Sequence, residues 1–255
     1  MKKYDVRDCR ILRKKEIAPA IFDLTVEAGQ MAEAARPGQF AQFFVPGRTL
    51  RRPISICGID RRAGTLRFVF QVRGEGTALL ARAKPGQALN LLAPLGSGFR
   101  LGDTGRRALL LGGGVGLPPL LAAAEPFGRN AVVAAGFRAR GSIVLREDFE
   151  RLGCRVLIAT DDGSFGHRGP VTDLAAGLEF DAVFACGPRP MLRAAAKLAR
   201  ARGVPCQVSM EERMACGIGA CLGCAVRLRG KNGETYGMVC RDGPVFDASA
   251  VVWGD

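Results

Sequence analysis

Histidine is almost missing from this chain: His167 is the only one in 255 residues. That excludes multi-histidine metal centres and leaves little room for a Ser-His-Asp hydrolase triad. His167 itself lies in a glycine-rich loop, where an exposed side chain is expected. One tryptophan and two tyrosines give few stacking platforms for single-stranded nucleic acid. A formal net charge of +13 would suit nucleic acid, an anionic cofactor or an acidic protein partner. No run of five or more basic residues concentrates that charge, however, and nucleic-acid binding is not expected. Long apolar runs are also lacking. The longest uncharged stretch, residues 108–124, is broken by four glycines and two prolines and reads as strand, loop and helix start rather than a membrane span. The first ten residues contain no apolar segment of the kind found in export signals. A cytoplasmic protein without membrane association is expected, and in a reducing compartment clustered cysteines bind metal more often than they form disulfides.

Cysteine is plentiful, with nine residues. Cys216, Cys221 and Cys224 follow a C-x4-C-x2-C spacing, and Cys240 supplies a later fourth sulfur. This is the ligand spacing of plant-type [2Fe–2S] clusters. Each iron takes two cysteine sulfurs beside the bridging sulfides, so four are required. Gly217, Gly219 and Gly223 stand between the ligands, where a tight loop needs positive φ and backbone N–H groups directed at anionic sulfur. A four-cysteine zinc site is the nearest alternative. Zinc sites usually pair their ligands as two C-x2-C hooks, and only Cys221 and Cys224 form one here. Cys9, Cys57, Cys154 and Cys206 match no motif.

The first hundred residues alternate short β-branched and aromatic runs with Gly and Pro turns, at 6–12, 21–26, 40–45, 54–59, 66–72 and 88–92. This pattern predicts a small antiparallel barrel, with one helix over 77–83. Arg51-Arg52-Pro53-Ile54-Ser55 opens one strand, and an arginine fork with a nearby hydroxyl can hold an anionic group. Gly74-Glu75-Gly76-Thr77 opens the helix, where free N–H groups favour phosphate. In this order the two motifs resemble the flavin domain of the ferredoxin-NADP reductase family. The resemblance implies that Arg52, Pro53, Ile54 and Ser55 hold the FAD pyrophosphate side. Gly76 and Thr77 would supply the second phosphate contact, and Phe70, Gln71 and Val72 would lie against the flavin. Ile54 stands where the family often has tyrosine. Residues 92–99 are similar to the family's closing segment before its second domain.

From residue 107 the pattern becomes parallel α/β. An apolar strand at 108–111 leads into Gly112-Gly113-Gly114-Val115-Gly116 and a helix at 120–125. A strand, glycine turn and helix start allow close approach to a pyrophosphate, although the spacing is not G-x-G-x-x-G. Strands are expected at 131–135, 155–160 and 182–186, with helices at 143–150, 171–178 and 191–202. The loops 112–116, 160–163 and Cys186-Gly187-Pro188 then converge on the carboxyl edge of the sheet. A strand-ending Cys186 is either a small buried hydrophobe or, by the family resemblance, a residue beside the nicotinamide and flavin edge with a catalytic role, and its position favours the second. Arg138 and Arg140 could read a 2′-phosphate, but NAD is preferred to NADP.

The fold class is thus multidomain: an FAD-binding β-barrel over residues 1–101, an NAD-binding α/β domain over 102–205, and a [2Fe–2S] segment over 206–255. In this order, and above all at 210–224 and 239–246, the chain resembles the electron-transfer subunits of dihydroorotate dehydrogenase B, a pyrimidine-synthesis enzyme. The resemblance implies an FMN-containing catalytic partner that oxidises dihydroorotate, two copies of each subunit in a heterotetramer, and electron flow from FMN through the cluster and FAD to NAD+. Nicotinamide moves a hydride and a cluster moves one electron, so flavin must stand between them. A related reductase subunit serving sulfite reductase, hydrogenase or ferredoxin-NADP transhydrogenase is the alternative, and a zinc-stabilised module without flavin is another.

Overall fold

The computed structural model describes residues 4–230 and 233–254. Six antiparallel strands close a barrel in the order β1-β2-β5-β4-β3-β6. They are β1 (Asp5–Ala18), β2 (Ile21–Glu27), β3 (Phe40–Phe43), β4 (Arg52–Asp60), β5 (Thr65–Gln71) and β6 (Ala88–Leu95). Two short helices, α1 (Gln30–Ala34) and α2 (Glu75–Arg82), fill the connections. Ile11, Leu24, Ala41, Phe43, Ile56, Phe68 and Leu91 form the barrel interior. Closure removes the unpaired edges that an open six-stranded sheet would expose.

The second layer system is a seven-stranded sheet, ordered β10-β9-β8-β7-β11-β12-β15. Its strands are β7 (Ala108–Gly113), β8 (Ala131–Phe137), β9 (Arg155–Thr160), β10 (His167–Arg168), β11 (Ala182–Cys186), β12 (Cys206–Ser209) and β15 (Val245–Asp247). All neighbours are parallel except β12 and β15. Central β7 is apolar throughout because helices cover both faces. Leu109 and Leu111 face α5 (Arg189–Arg202), whereas Ala108 and Leu110 face α3 (Leu121–Ala124). Chain order runs outward from β7 through β8, β9 and β10, then reverses to β11 on the other side, so the β7/β11 boundary is a topological switch point.

Three helices differ from expectation. Residues 171–178 form only a 3-10 turn, Val171–Ala175, since the chain leaves helical geometry at Ala176 (ψ 129°) and turns at Gly177 (φ 72°). Leu145 adopts φ 61° and delays α4 to Arg146–Arg151. Pro118-Pro119 direct a 3-10 turn before α3. The segment from 206 onward is also not a separate body. β12 is a strand of the parallel sheet, and β15 rejoins it after the cysteine loop. Between them lies a hairpin of β13 (Ala225–Gly230) and β14 (Gly233–Met238). His167 is exposed and faces Asp173 at 3.3 Å. Among the described residues, no helix is long and apolar enough to cross a membrane.

Candidate functional site

On the barrel, the two anion motifs meet. Arg52 begins β4, and its side chain lies against the first turn of α2 so closely that a Cβ at Gly76 would collide with Nε. Thr77 Oγ1 accepts hydrogen bonds from the backbone N–H groups of Arg73 (2.9 Å) and Gly74 (3.2 Å) and fixes the turn that presents the helix start. Arg48, which no motif marked, joins them: Nη2 lies 2.6 Å from Glu75 Oε2, while its buried Nε has no partner among the described residues. Two guanidinium groups and a helix start make a cradle that fits a pyrophosphate. Two of the residues expected at the FAD site, Ile54 on the pyrophosphate side and Phe70 against the flavin, have buried side chains. Ile54 and Phe70 belong to the barrel interior, where Phe70 stacks on Phe22 at 5.8 Å. Strand alternation turns both side chains inward, so only their backbone borders the outer face. Gln71, Val72 and Ser55 are partly exposed, and Pro53 is exposed.

At the switch point, the β7 and β11 loops press together. A Cβ at Gly116 would sit 2.5 Å from the Cys186 carbonyl oxygen, and one at Gly113 would sit 2.8 Å from both Met191 Sδ and Pro188 Cδ. Gly187, at φ 155°, packs against the Gly113 backbone. Gly112 is similarly closed off by Leu117, whereas Gly114 (φ 53°) faces open space. Gly112, Gly113 and Gly116 therefore let the chain pack tightly here, and Gly114 leaves bare backbone at the edge where a dinucleotide binds in such sheets. Residues 160–163 lie on the same edge but two strands away, where Asp162 N donates to the Arg138 carbonyl at 3.2 Å. Cys186 is buried, and burial, then the nearby Glu211 charge, pushes its thiol up to about 12. Raised so far, the thiol stays protonated at physiological pH. Burial likewise pushes Cys9 and Cys154 to about 11 and Cys57 and Cys206 to about 12.

The four motif cysteines form two pairs. Cys221 N donates to Cys216 Sγ at 3.4 Å, and Cys240 N donates to Cys224 Sγ at 3.4 Å. Gly219 N reaches Cys240 Sγ at 3.1 Å, and Ile218 N reaches Cys216 Sγ at 3.5 Å. Burial opposes ionisation of Cys216, yet the N–H groups of Ile218, Cys221 and Ala220 draw its thiol down to about 6. Cys240 is pushed up to about 12 by burial and by Cys224. Among the described residues, no three His, Cys, Asp or Glu side chains are gathered as a group for one metal ion. Two sulfur pairs with directed N–H groups suit two irons, each taking two sulfurs. Gly217 (φ 74°) and Gly219 (φ 86°) have no room for side chains, against Gln42 and Arg241 respectively.

The cysteine loop sits directly on the barrel. Cys224, Cys240, Met238 and Val239 share one apolar cluster with Phe40, Leu92 and Leu95 of β3 and β6. On its other side Cys221 is exposed, flanked by Ile218 and by Leu222, which is 62% exposed.

A family profile described as the iron–sulfur cluster binding domain of dihydroorotate dehydrogenase B matches residues 211–252. The chain is 42% identical over 252 residues to the dihydroorotate dehydrogenase B (NAD(+)) electron transfer subunit of Bacillus caldolyticus, covering 95% of this chain and 96% of that one. The subunit of the same name from Streptococcus mutans is 37% identical over 251 residues, covering 95% and 96%. Among solved structures, a chain of the NADH-dependent reduced ferredoxin-NADP oxidoreductase is similar, with a TM-score of 0.85, 30% identity and coverage of 96% of this chain and 90% of that one. A ferredoxin reductase of carbazole 1,9a-dioxygenase shares the fold, with a TM-score of 0.66 at 22% identity and coverage of 79% and 67%. Matched nearly end to end by these curated relatives, the chain belongs to the family of electron-transfer subunits of dihydroorotate dehydrogenase B.

Proposed function

We propose that this chain is the subunit that passes electrons from a dihydroorotate-oxidising, FMN-containing partner to NAD+. The observation that carries the reading is the seating of the cysteine loop on the barrel that bears the anion cradle: Gly217 lies against Gln42 of β3, and Ser97 N donates to the Gly243 carbonyl at 2.5 Å. Arg52, Arg48 and the start of α2 hold the phosphates of FAD, with Thr77 fixing the turn and Pro53, Ser55, Gln71 and Val72 bordering the bound cofactor. Gly112, Gly113, Gly114, Gly116, Gly187 and Pro188 admit the nicotinamide dinucleotide at the β7/β11 edge. Cys216 with Cys221, and Cys224 with Cys240, hold the two irons, and the loop N–H groups stabilise the anionic sulfurs. When bound, the cluster and flavin supply the conversion between one-electron transfer and hydride transfer. No side chain acts as general acid or base. The residues position the cofactors, and burial keeps Cys186 protonated.

The partner docks over the exposed Cys221 face, in a heterotetramer with two copies of each subunit. Nine cysteines free of disulfide bonds suit the reducing cytoplasm. The test is reconstitution. Purified protein should contain about one FAD and two irons per chain and oxidise NADH with an artificial acceptor. It should form orotate from dihydroorotate only after the catalytic subunit is added. Dihydroorotate turnover by the purified chain alone, or zinc in place of iron, would sink the reading. A second reading, service to a ferredoxin-linked NADPH-forming partner, is favoured by the 30% identity to the oxidoreductase chain above. It predicts co-purification with a different flavoprotein and no orotate-linked activity.

A further inference from the structure

Strand β3 separates two environments. Ala41 and Phe43 point into the barrel, and Phe40 points outward into the apolar cluster that contains Cys224 and Cys240. By the same alternation Gln42 shares the outward face with Phe40. It is 0% exposed, and neither its Nε2 nor its Oε1 has a hydrogen-bond partner among the described residues. A buried side-chain amide without partners is costly, and such groups mark places where a ligand completes the bonding. Two neighbours identify the ligand. Gln42 lies opposite Pro53 in the β3–β4 register, on the strand that carries the flavin motif. Its amide also lies against Gly217, the residue after Cys216: a Cβ there would be 2.7 Å from Nε2 and 3.1 Å from Cδ. Gly217 thus has no side chain because Gln42 occupies the space.

We propose that the Gln42 side chain donates an N–H hydrogen bond from the flavin barrel to the iron–sulfur cluster at the Cys216 end, and so sets the cluster's reduction potential. This rests on the cluster reading above. Reduction adds negative charge to the sulfurs, so a donor stabilises the reduced form and raises the potential. The backbone N–H groups of Ile218, Gly219 and Cys221 come from the cysteine loop itself. Gln42 is a donor supplied by the barrel, so it ties the tuning of the cluster to correct seating of the loop on the flavin side.

The test is an EPR-monitored redox titration of holoprotein carrying Gln42→Leu, which keeps the volume and removes the donor. The cluster midpoint should fall by about 59 mV, corresponding to an about tenfold change in the reduction equilibrium for one lost hydrogen bond to a charged acceptor. Iron and FAD contents should stay at wild-type levels. An unchanged cluster midpoint overturns the proposal, as does a shift confined to the flavin midpoint. If Gln42→Leu does not assemble the cluster, Gln42→Met, equally without a donor but more adaptable, is titrated instead. Loss of iron from both variants with FAD retained also overturns it, because a tuning donor is not needed to hold the cluster. The cluster reading fails separately, through a wild-type protein that has zinc or lacks a reduced-cluster EPR signal.

Discussion

Gly76 shows how much of the proposed flavin site depends on a missing side chain. Any Cβ there would strike Arg52 Nε, so Gly76→Ala displaces the guanidinium from the start of α2. The loss of one charge-assisted contact should weaken FAD binding by about 10- to 100-fold, measured by flavin retention through gel filtration and by titration of the apoprotein. Iron content should be unaffected. A variant that keeps its flavin would show that Arg52 does not hold the phosphate. At this scale the sequence was readable where chemistry fixes spacing. The four cysteines stand as two pairs, and Arg52 meets Gly76. It was not readable where a residue's direction depends on barrel register. Ile54 and Phe70 carry the right motif positions but point inward, and Gln42 looked like one more strand residue in an apolar run. Its neighbour Gly217 is remote in the chain, so no local pattern reveals the contact.

Among the elements, the cysteine loop has two faces with different tasks. Its inner face buries Cys224 and Cys240, while its outer face displays Ile218, Cys221 and Leu222, the last held outward at φ 59°. An apolar pair around an exposed cysteine is suited to a partner surface. Ile218→Lys with Leu222→Lys should reduce dihydroorotate-dependent NAD+ reduction in the reconstituted complex at least about tenfold, as expected for loss of interface anchors. NADH oxidation with a small artificial acceptor should persist. Equal loss of both activities would mean that the substitutions damaged the loop itself. Strands were legible because alternation and apolar runs repeat over several residues. The helices were less so. The segment 171–178 has a helical composition, yet Ala176 leaves helical geometry and Gly177 turns the chain.

Across the whole molecule, the barrel and the sheet are joined by a charged network. Asp23 on β2 is buried and accepts from Arg67 Nε at 3.0 Å and from Arg13 Nη2 at 2.8 Å. Arg67 also holds Asp148 on α4, and these carboxylates raise its pKa against the effect of burial. Removing one member strands buried charge. Asp23→Asn should therefore cost about 3 kcal/mol, read as a lower denaturant midpoint, while leaving the cluster EPR signal of the folded protein intact. A midpoint equal to wild type would show that the network contributes nothing net. No sequence motif marks these residues, since each looks like ordinary surface charge until the two layers are docked.

The expected boundary at 205/206 also missed a feature of this scale, the return of β15 to β12. The cysteine loop leaves the sheet at Ser209 and rejoins it at Val245, and these two residues are paired neighbours. Adjacent strands stand about 4.8 Å apart, so the whole excursion begins and ends at nearly one point. Such a segment can be exchanged for another without rerouting the chain. The electron inlet of this subunit is in that sense a cartridge. A replacement must bring its own redox centre and an apolar underside that covers Phe40, Leu92 and Leu95, while the barrel and the nucleotide sheet keep their connections unchanged.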